Sequence, residues 1–246
     1  VARGRRRADG GDEVTALLSA TSVGVRFHAG TAAEVRALED AAVSVEKGAF
    51  FAVSGPSGCG KTTLLAVLSL MLRPTSGAVS FDGRDVGDAS ESERSRLRRR
   101  MGFAFQSAPM LRGLPLWENV TYGLVPRGDS AARRRELADS LLGHVGLSAK
   151  TSAVPEELSA GERQRAGLAR ALAGGPEVIF ADEPTSNLDR ASADVVMAIL
   201  AEFRGKGGTV VVASHDPAAL APATDGVVLD AGRVTGARFA VPNGRS

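Results

Sequence analysis

The chain has 246 residues, 43% of them apolar and 24% charged, with a formal net charge of +2. That length supports one sizeable α/β domain with room for a smaller lobe, and so small a charge does not indicate nucleic acid or an acidic membrane as partner. The single cysteine, Cys59, excludes an internal disulfide and fits a reducing compartment.

Taken in chain order, the arginines at 3, 5, 6 and 7 stand beside Asp9, Asp12 and Glu13, which reads as a solvated, disordered basic tail over residues 1–13. A basic start running into acids and glycines does not match a secretory signal. Leu17–Phe27 alternates loosely, as an early strand does, and His28–Ala33 reads as a turn. Val43–Val45 and Phe50–Ser54 are further strands, the second ending at the glycines of Gly55–Gly60. A helix begins near Lys61 and buries Leu64, Leu65, Val67, Leu68 and Leu72, until Pro74 and Gly77 stop it. The apolar run Leu64–Leu72 is too short to cross a bilayer, which takes ~20 residues. Ala78–Phe81 extends again before a turn at Asp82-Gly83.

Met101–Gln106 is an apolar strand leading into a helical lobe over about 107–161, with Ser130–Val145 as a clear helix. Val178–Ala181 and Thr209–Ala213 are wholly apolar and suit central parallel strands, separated by a helix at Ser192–Phe203. Gly226–Val234 reads as a hairpin turning at Asp230-Ala231-Gly232. One domain is therefore expected over 14–236, with a flexible tail at 237–246, and no internal repeat suggests a second.

Gly55-Pro56-Ser57-Gly58-Cys59-Gly60-Lys61-Thr62 fits a phosphate-binding loop between a strand and a helix. Its glycines let backbone N–H groups converge on phosphate oxygens, and the helix N-terminus adds a positive dipole. Lys61 would reach the β- and γ-phosphates, Thr62 would ligate Mg²⁺, and Thr63 completes the nucleotide-binding stretch. Cys59 is read as a small loop residue rather than a redox thiol. Asp182 and Glu183 close an apolar strand where open α/β sheets place ligands. Asp182 suits Mg²⁺ and Glu183 suits a general base that orients water. His215 follows a strand that should end at the same rim, within reach of a γ-phosphate. Gln106 would ligate Mg²⁺ through its carbonyl and report on the lobe's position.

These residues together resemble the ATP-binding cassette (ABC) ATPase family from Leu17 to Val234. Gly55–Thr62 is similar to its Walker A motif, Val178–Glu183 to Walker B, Gln106 to the Q-loop, Ser159–Glu162 to the signature, Ser186–Asp189 to the D-loop and His215 to the switch histidine. The resemblance implies a P-loop NTPase with a RecA-like, mostly parallel core, an N-terminal antiparallel β subdomain and an inserted α-helical subdomain. It also implies a head-to-tail dimer around two Mg-ATP. Ser159 and Gly161 of one copy would touch the γ-phosphate held by Lys61 of the other, Asp189 would lie at the same interface, and Phe27 would stack on adenine. Ser90–Arg94, Leu97–Phe103 and Leu116–Val120 resemble the lipoprotein-releasing, macrolide-export and cell-division subfamily. Within it, Arg94–Arg100 reads as a solvated helix face and lobe hinge.

The expectation is thus a cytoplasmic ATPase subunit, peripheral to the membrane, that drives a separate permease in export or mechanotransmission. The permease would dock near Gln106, and no nucleic acid is expected. The alternatives are a non-transport ABC ATPase on DNA or ribosomes, or a regulatory ABC subunit. Ala160 departs from the usual signature glycine: if that position needs positive φ, the methyl costs about 1–2 kcal/mol and slows this half-site.

Overall fold

The computed structural model describes residues 16–236, so both expected tails lie outside the described residues. Its strands are β1 (Ala16–Phe27), β2 (Val35–Glu46), β3 (Phe50–Ser54), β4 (Ser76–Phe81), β5 (Arg84–Asp85), β6 (Met101–Ala104), β7 (Val178–Asp182), β8 (Thr209–Ser214), β9 (Asp225–Asp230) and β10 (Arg233–Gly236). The helices are α1 (Lys61–Leu68), α2 (Glu91–Arg98), α3 (Leu116–Thr121), α4 (Ala131–His144), α5 (Ala160–Leu172), α6 (Arg190–Gly205) and α7 (Pro217–Leu220).

Two sheets form, an antiparallel one in the order β2-β1-β4-β5 and a larger one in the order β10-β9-β3-β8-β7-β6. In the larger sheet β9, β3, β8, β7 and β6 are mutually parallel, and only β10 pairs antiparallel. Successive side chains on a strand face opposite ways, so the apolar runs feed two cores. Phe51, Val53, Phe180, Val211 and Ala213 pack with α1 and the antiparallel sheet. Phe50, Ala52, Ile179, Ala181, Val210 and Val212 pack with α3, α4, α5 and α6. Each fully buried Val, Ile or Phe among them contributes roughly 1.5–3 kcal/mol. Because both faces are covered, β3, β7 and β8 are held rigidly and their C-terminal ends share one rim. Among the described residues no helix is long and apolar enough to cross a membrane.

Three local readings change. The second strand spans Val35–Glu46 rather than Val43–Val45, because Asp40 takes φ 52° and bulges break the alternation along its pairing with β1. The first helix stops at Leu68, before Pro74, since Leu70 turns left-handed at φ 60°. The basic run at 94–100 is not a uniformly solvated face. Arg94 is 3% exposed and its Nη2 donates to the carbonyls of Leu70 and Leu72. Arg100 pairs with Glu177 and Asp82 and lies 4.5 Å over the Phe81 ring, tying the antiparallel sheet to the parallel one.

Candidate active site

The loop after β3 is shaped by glycine. Gly55, Gly58 and Gly60 take φ of 145°, 78° and 107°. A Cβ at Gly55 would stand 2.1 Å from the Leu229 carbonyl oxygen, and one at Gly60 2.5 Å from that of Ala37. Only glycine fits at 55 and 60, and a loop of this kind suits an anion cradle built from backbone N–H groups. Gly60 caps α1 without a side-chain hydrogen bond, so the helix N-terminus presents free donors. Lys61 is buried at the first turn, with Nζ donating to Gly55 O at 2.8 Å and Pro56 O at 3.0 Å. Pro56, Ser57 and Gly58 are exposed, whereas Cys59 is buried in the core and Thr63 half-buried.

Walker B side chains meet this loop at the strand ends. Thr62 Oγ1 donates to Asp182 Oδ2 at 2.8 Å. Asp182 Oδ1 is buried and has no hydrogen-bond partner. Burial raises the pKa of this carboxyl above the usual range, against the lowering effect of the Thr62 bond. An unpaired buried oxygen beside a threonine hydroxyl suits a hard, oxygen-seeking cation, and Mg²⁺ fits this donor set.

Glu183 sits at φ 45°, a conformation normally left to glycine, with its N–H donating to Ala213 O at 2.8 Å. Its carboxylate accepts from Ser214 Oγ at 3.0 Å and lies 2.9 Å from His215 Nδ1 and 3.7 Å from Lys61 Nζ. The carboxylate only accepts, so His215 Nδ1 is the donor in this pair. Lys61, Thr62, Asp182, Glu183 and His215 therefore converge. Sequence reasoning missed Ser214, which is wholly buried at the end of β8 and acts through Glu183, 31 residues away.

Other expected residues lie apart from this group. Phe27, 39% exposed, pairs with Val35 at the open end of β1. The Gln106 side chain is exposed and hydrogen-bonds to no described residue. Ser159 caps α5 and Gly161 is buried against Ser192, where a Cβ would come within 2.6 Å of Oγ. Ser192 is in turn bound by Asp189, the cap of α6, through N to Oδ1 at 2.9 Å and Oγ to Oδ2 at 3.0 Å. Signature and D-loop are thus one packed unit, a link through Ser192 that spacing alone did not reveal. Ala160 opens α5 in a helical conformation and is absent from the left-handed residues, so its methyl carries no backbone penalty.

A family model described as "ABC transporter" matches residues 38–186. The chain belongs to the ABC transporter family. This cassette is 40% identical over 224 residues to a macrolide export ATP-binding/permease protein of Burkholderia pseudomallei, an alignment covering 91% of the chain and 34% of that protein. It is 38% identical to a lipoprotein-releasing system ATP-binding protein of Caulobacter vibrioides, covering 90% of the chain and 96% of the relative. The chain thus spans about a third of the macrolide-export relatives and nearly all of the lipoprotein-releasing one. Among solved structures, the dimeric ABC cassette MJ0796 bound to ADP and Pi superposes with a TM-score of 0.84 at 31% identity, covering 89% of this chain and 97% of that one. The P-loop NTPase fold, with its separate antiparallel sheet, follows.

Proposed function

We propose that this cassette hydrolyses ATP within a head-to-tail dimer and drives a membrane-spanning permease, at the inner face of the membrane. The observation that carries the chemistry is the convergence of Lys61, Thr62, Asp182, Glu183 and His215 at one rim. Lys61 and the loop amides would hold the phosphates. Thr62, Asp182 and Gln106 would hold Mg²⁺, which supplies charge neutralisation on the phosphate oxygens. Glu183, oriented by Ser214 and His215, would position a water and accept its proton. The Glu183–His215 hydrogen bond gives that carboxylate one defined rotamer, and catalysis of this class depends mostly on such positioning. Ser159 and Gly161 would complete the site across the dimer, with Phe27 under the adenine.

The dimer is supported by the dimeric arrangement of MJ0796. The permease is supported by the names of relatives, one an ATP-binding/permease protein and another the ATP-binding protein of a lipoprotein-releasing system. Exposed Phe105, Leu111, Tyr122 and Val125 flank and follow Gln106, offering apolar surface where such a partner would dock. Export or force transmission across the membrane is the role favoured by Leu116–Val120 and the run 90–103.

Replacing Glu183 by Gln tests the reading. Turnover is expected to fall by roughly 10²–10⁴-fold, as for loss of a general base, with ATP affinity retained and an ATP-dependent dimer visible by size exclusion. Turnover near wild type would overturn the assignment.

A further inference from the structure

The segment bearing Gln106 is strung along one side of α5. Gln164, Gly167 and Arg170 recur every three residues and so share a helix face. Gln164 is 5% exposed, and its Nε2 donates to the Phe105 carbonyl at 3.2 Å. A Cβ built on Gly167 would stand 2.8 Å from the Cβ of Ala108, closer than methyl groups pack. Ala108 itself is buried and left-handed, at φ 39°. Arg170, half-buried, donates through Nη1 to the Pro109 carbonyl. The Phe105 ring also stacks on Phe103 at 5.9 Å, at the end of β6. Gln106 is therefore suspended between anchors on either side, and those anchors belong to the helix that begins at Ser159.

Glycine in mid-helix costs about 1 kcal/mol relative to alanine. At Gly167 that cost is offset by the approach it permits, since any larger side chain would push the loop away. Gln164 adds a second donor to the Phe105 carbonyl, which also accepts from Ala108 N at 3.1 Å, and Arg170 supplies a half-buried donor to the Pro109 carbonyl.

We propose that Gln164, Gly167 and Arg170 are positioning residues that clip the 105–109 segment to α5 and so fix the backbone on both sides of Gln106, from which its side chain would reach the Mg²⁺ site. The clip makes the segment and the signature helix move as one body, so that a displacement of Gln106 reaches Ser159 and Gly161. This rests on the ATPase reading above.

The test compares wild type, Gly167→Ala, the double variant Gly167→Ala/Ala108→Gly, and Gln106→Ala. Two quantities are read: amide hydrogen exchange of residues 105–109 without Mg²⁺, and the Mg²⁺ concentration giving half-maximal ATPase. Gly167→Ala should speed exchange in the segment and raise the Mg²⁺ requirement roughly tenfold, the scale seen when a supporting partner of a metal ligand is lost. The double variant should restore both, because the methyl removed from one side makes room for the one added on the other. Ala108→Gly alone is the control, because glycine also relieves the left-handed backbone at 108, and rescue counts only where it exceeds the effect of that single substitution. Should Gly167→Ala fail to fold, Gln164→Leu removes one anchor and carries the same expectation. If Gln106→Ala raises the Mg²⁺ requirement while Gly167→Ala changes neither quantity, the clip is overturned and the ATPase reading stands. If Gln106→Ala leaves the requirement unchanged, the metal assignment of Gln106 falls, and this proposal with it.

Discussion

At the scale of single residues, Asp182 is one of two side chains, with Arg134, that hold a buried polar atom without a partner among the described residues. Its Oδ1 is buried without a partner, and burial raises its pKa. An unpartnered buried acceptor costs about 1–3 kcal/mol. Asp182→Asn keeps an acceptor for Thr62 and, though a polar atom still stands at the Oδ1 position, removes the charge that burial penalises. The metal-free protein is therefore expected to melt about 2–4 °C higher as the variant, for ~1 kcal/mol relieved. Adding Mg²⁺ should raise the melting temperature of the wild type and not of the variant; equal shifts in both would remove Asp182 from the metal site. The convergence of the Gly55–Thr62 loop with the Asp182-Glu183 pair was legible, because both follow apolar strands of one parallel sheet and so end at one rim. Ser214 and Ser192 were not, since each acts through a neighbour distant in sequence, Glu183 in one case and Gly161 in the other. Ala160 was judged against a glycine-like backbone that α5 does not have.

At the scale of elements, α5 begins with a capping box. Ser159 Oγ accepts from Glu162 N at 3.2 Å, and Glu162 Oε2 accepts from Ser159 N at 2.8 Å. The bond from the Ser159 amide holds the Glu162 carboxyl below the usual range, against the opposing effect of burial, with Lys150 adding to the lowering. A lowered carboxyl stabilises the fold above its unfolded pKa and loses that contribution as pH falls through the folded one. Glu162→Ala should thus cost about 0.5–1 kcal/mol in urea unfolding at neutral pH, and the difference should vanish in acid below the carboxylate range. A difference independent of pH would show that the carboxylate is not what caps the helix. Strands and helices ending at glycine, such as β3, were readable in advance. β2 was not, because its bulges against β1 scramble the period on which the reading depends.

At the scale of the whole molecule, Arg100 joins the two sheets. Its Nε and Nη2 lie 2.6 and 2.8 Å from the Glu177 carboxylate, and Nη2 is 2.7 Å from Asp82. Both Arg100 and Glu177 are about a third exposed, so solvent screens the pair and its contribution is modest. Arg100→Ala should lower stability by about 1 kcal/mol, including the loss of stacking on Phe81, or ~2–4 °C in melting temperature. The same substitution measured in 1 M salt should cost less, because the ionic part is screened. An identical cost at both salt levels would assign the effect to packing alone. The parallel character of the strands was legible from their apolar runs. Their order, β9-β3-β8-β7-β6, was not, since it is set by crossovers through helices and by which faces those helices cover.

The left-handed backbone of Glu183 bears on how this protein would respond to selection. A non-glycine residue held there costs on the order of 1–3 kcal/mol, and Glu183 is kept at φ 45° by bonds to Ala213 and Ser186. Glycine would relieve that strain and remove the carboxylate in the same substitution. A library of variants ranked only by heat resistance would therefore enrich glycine at 183, and, on the proposed function, the hardiest clones would be the ones that no longer turn over ATP.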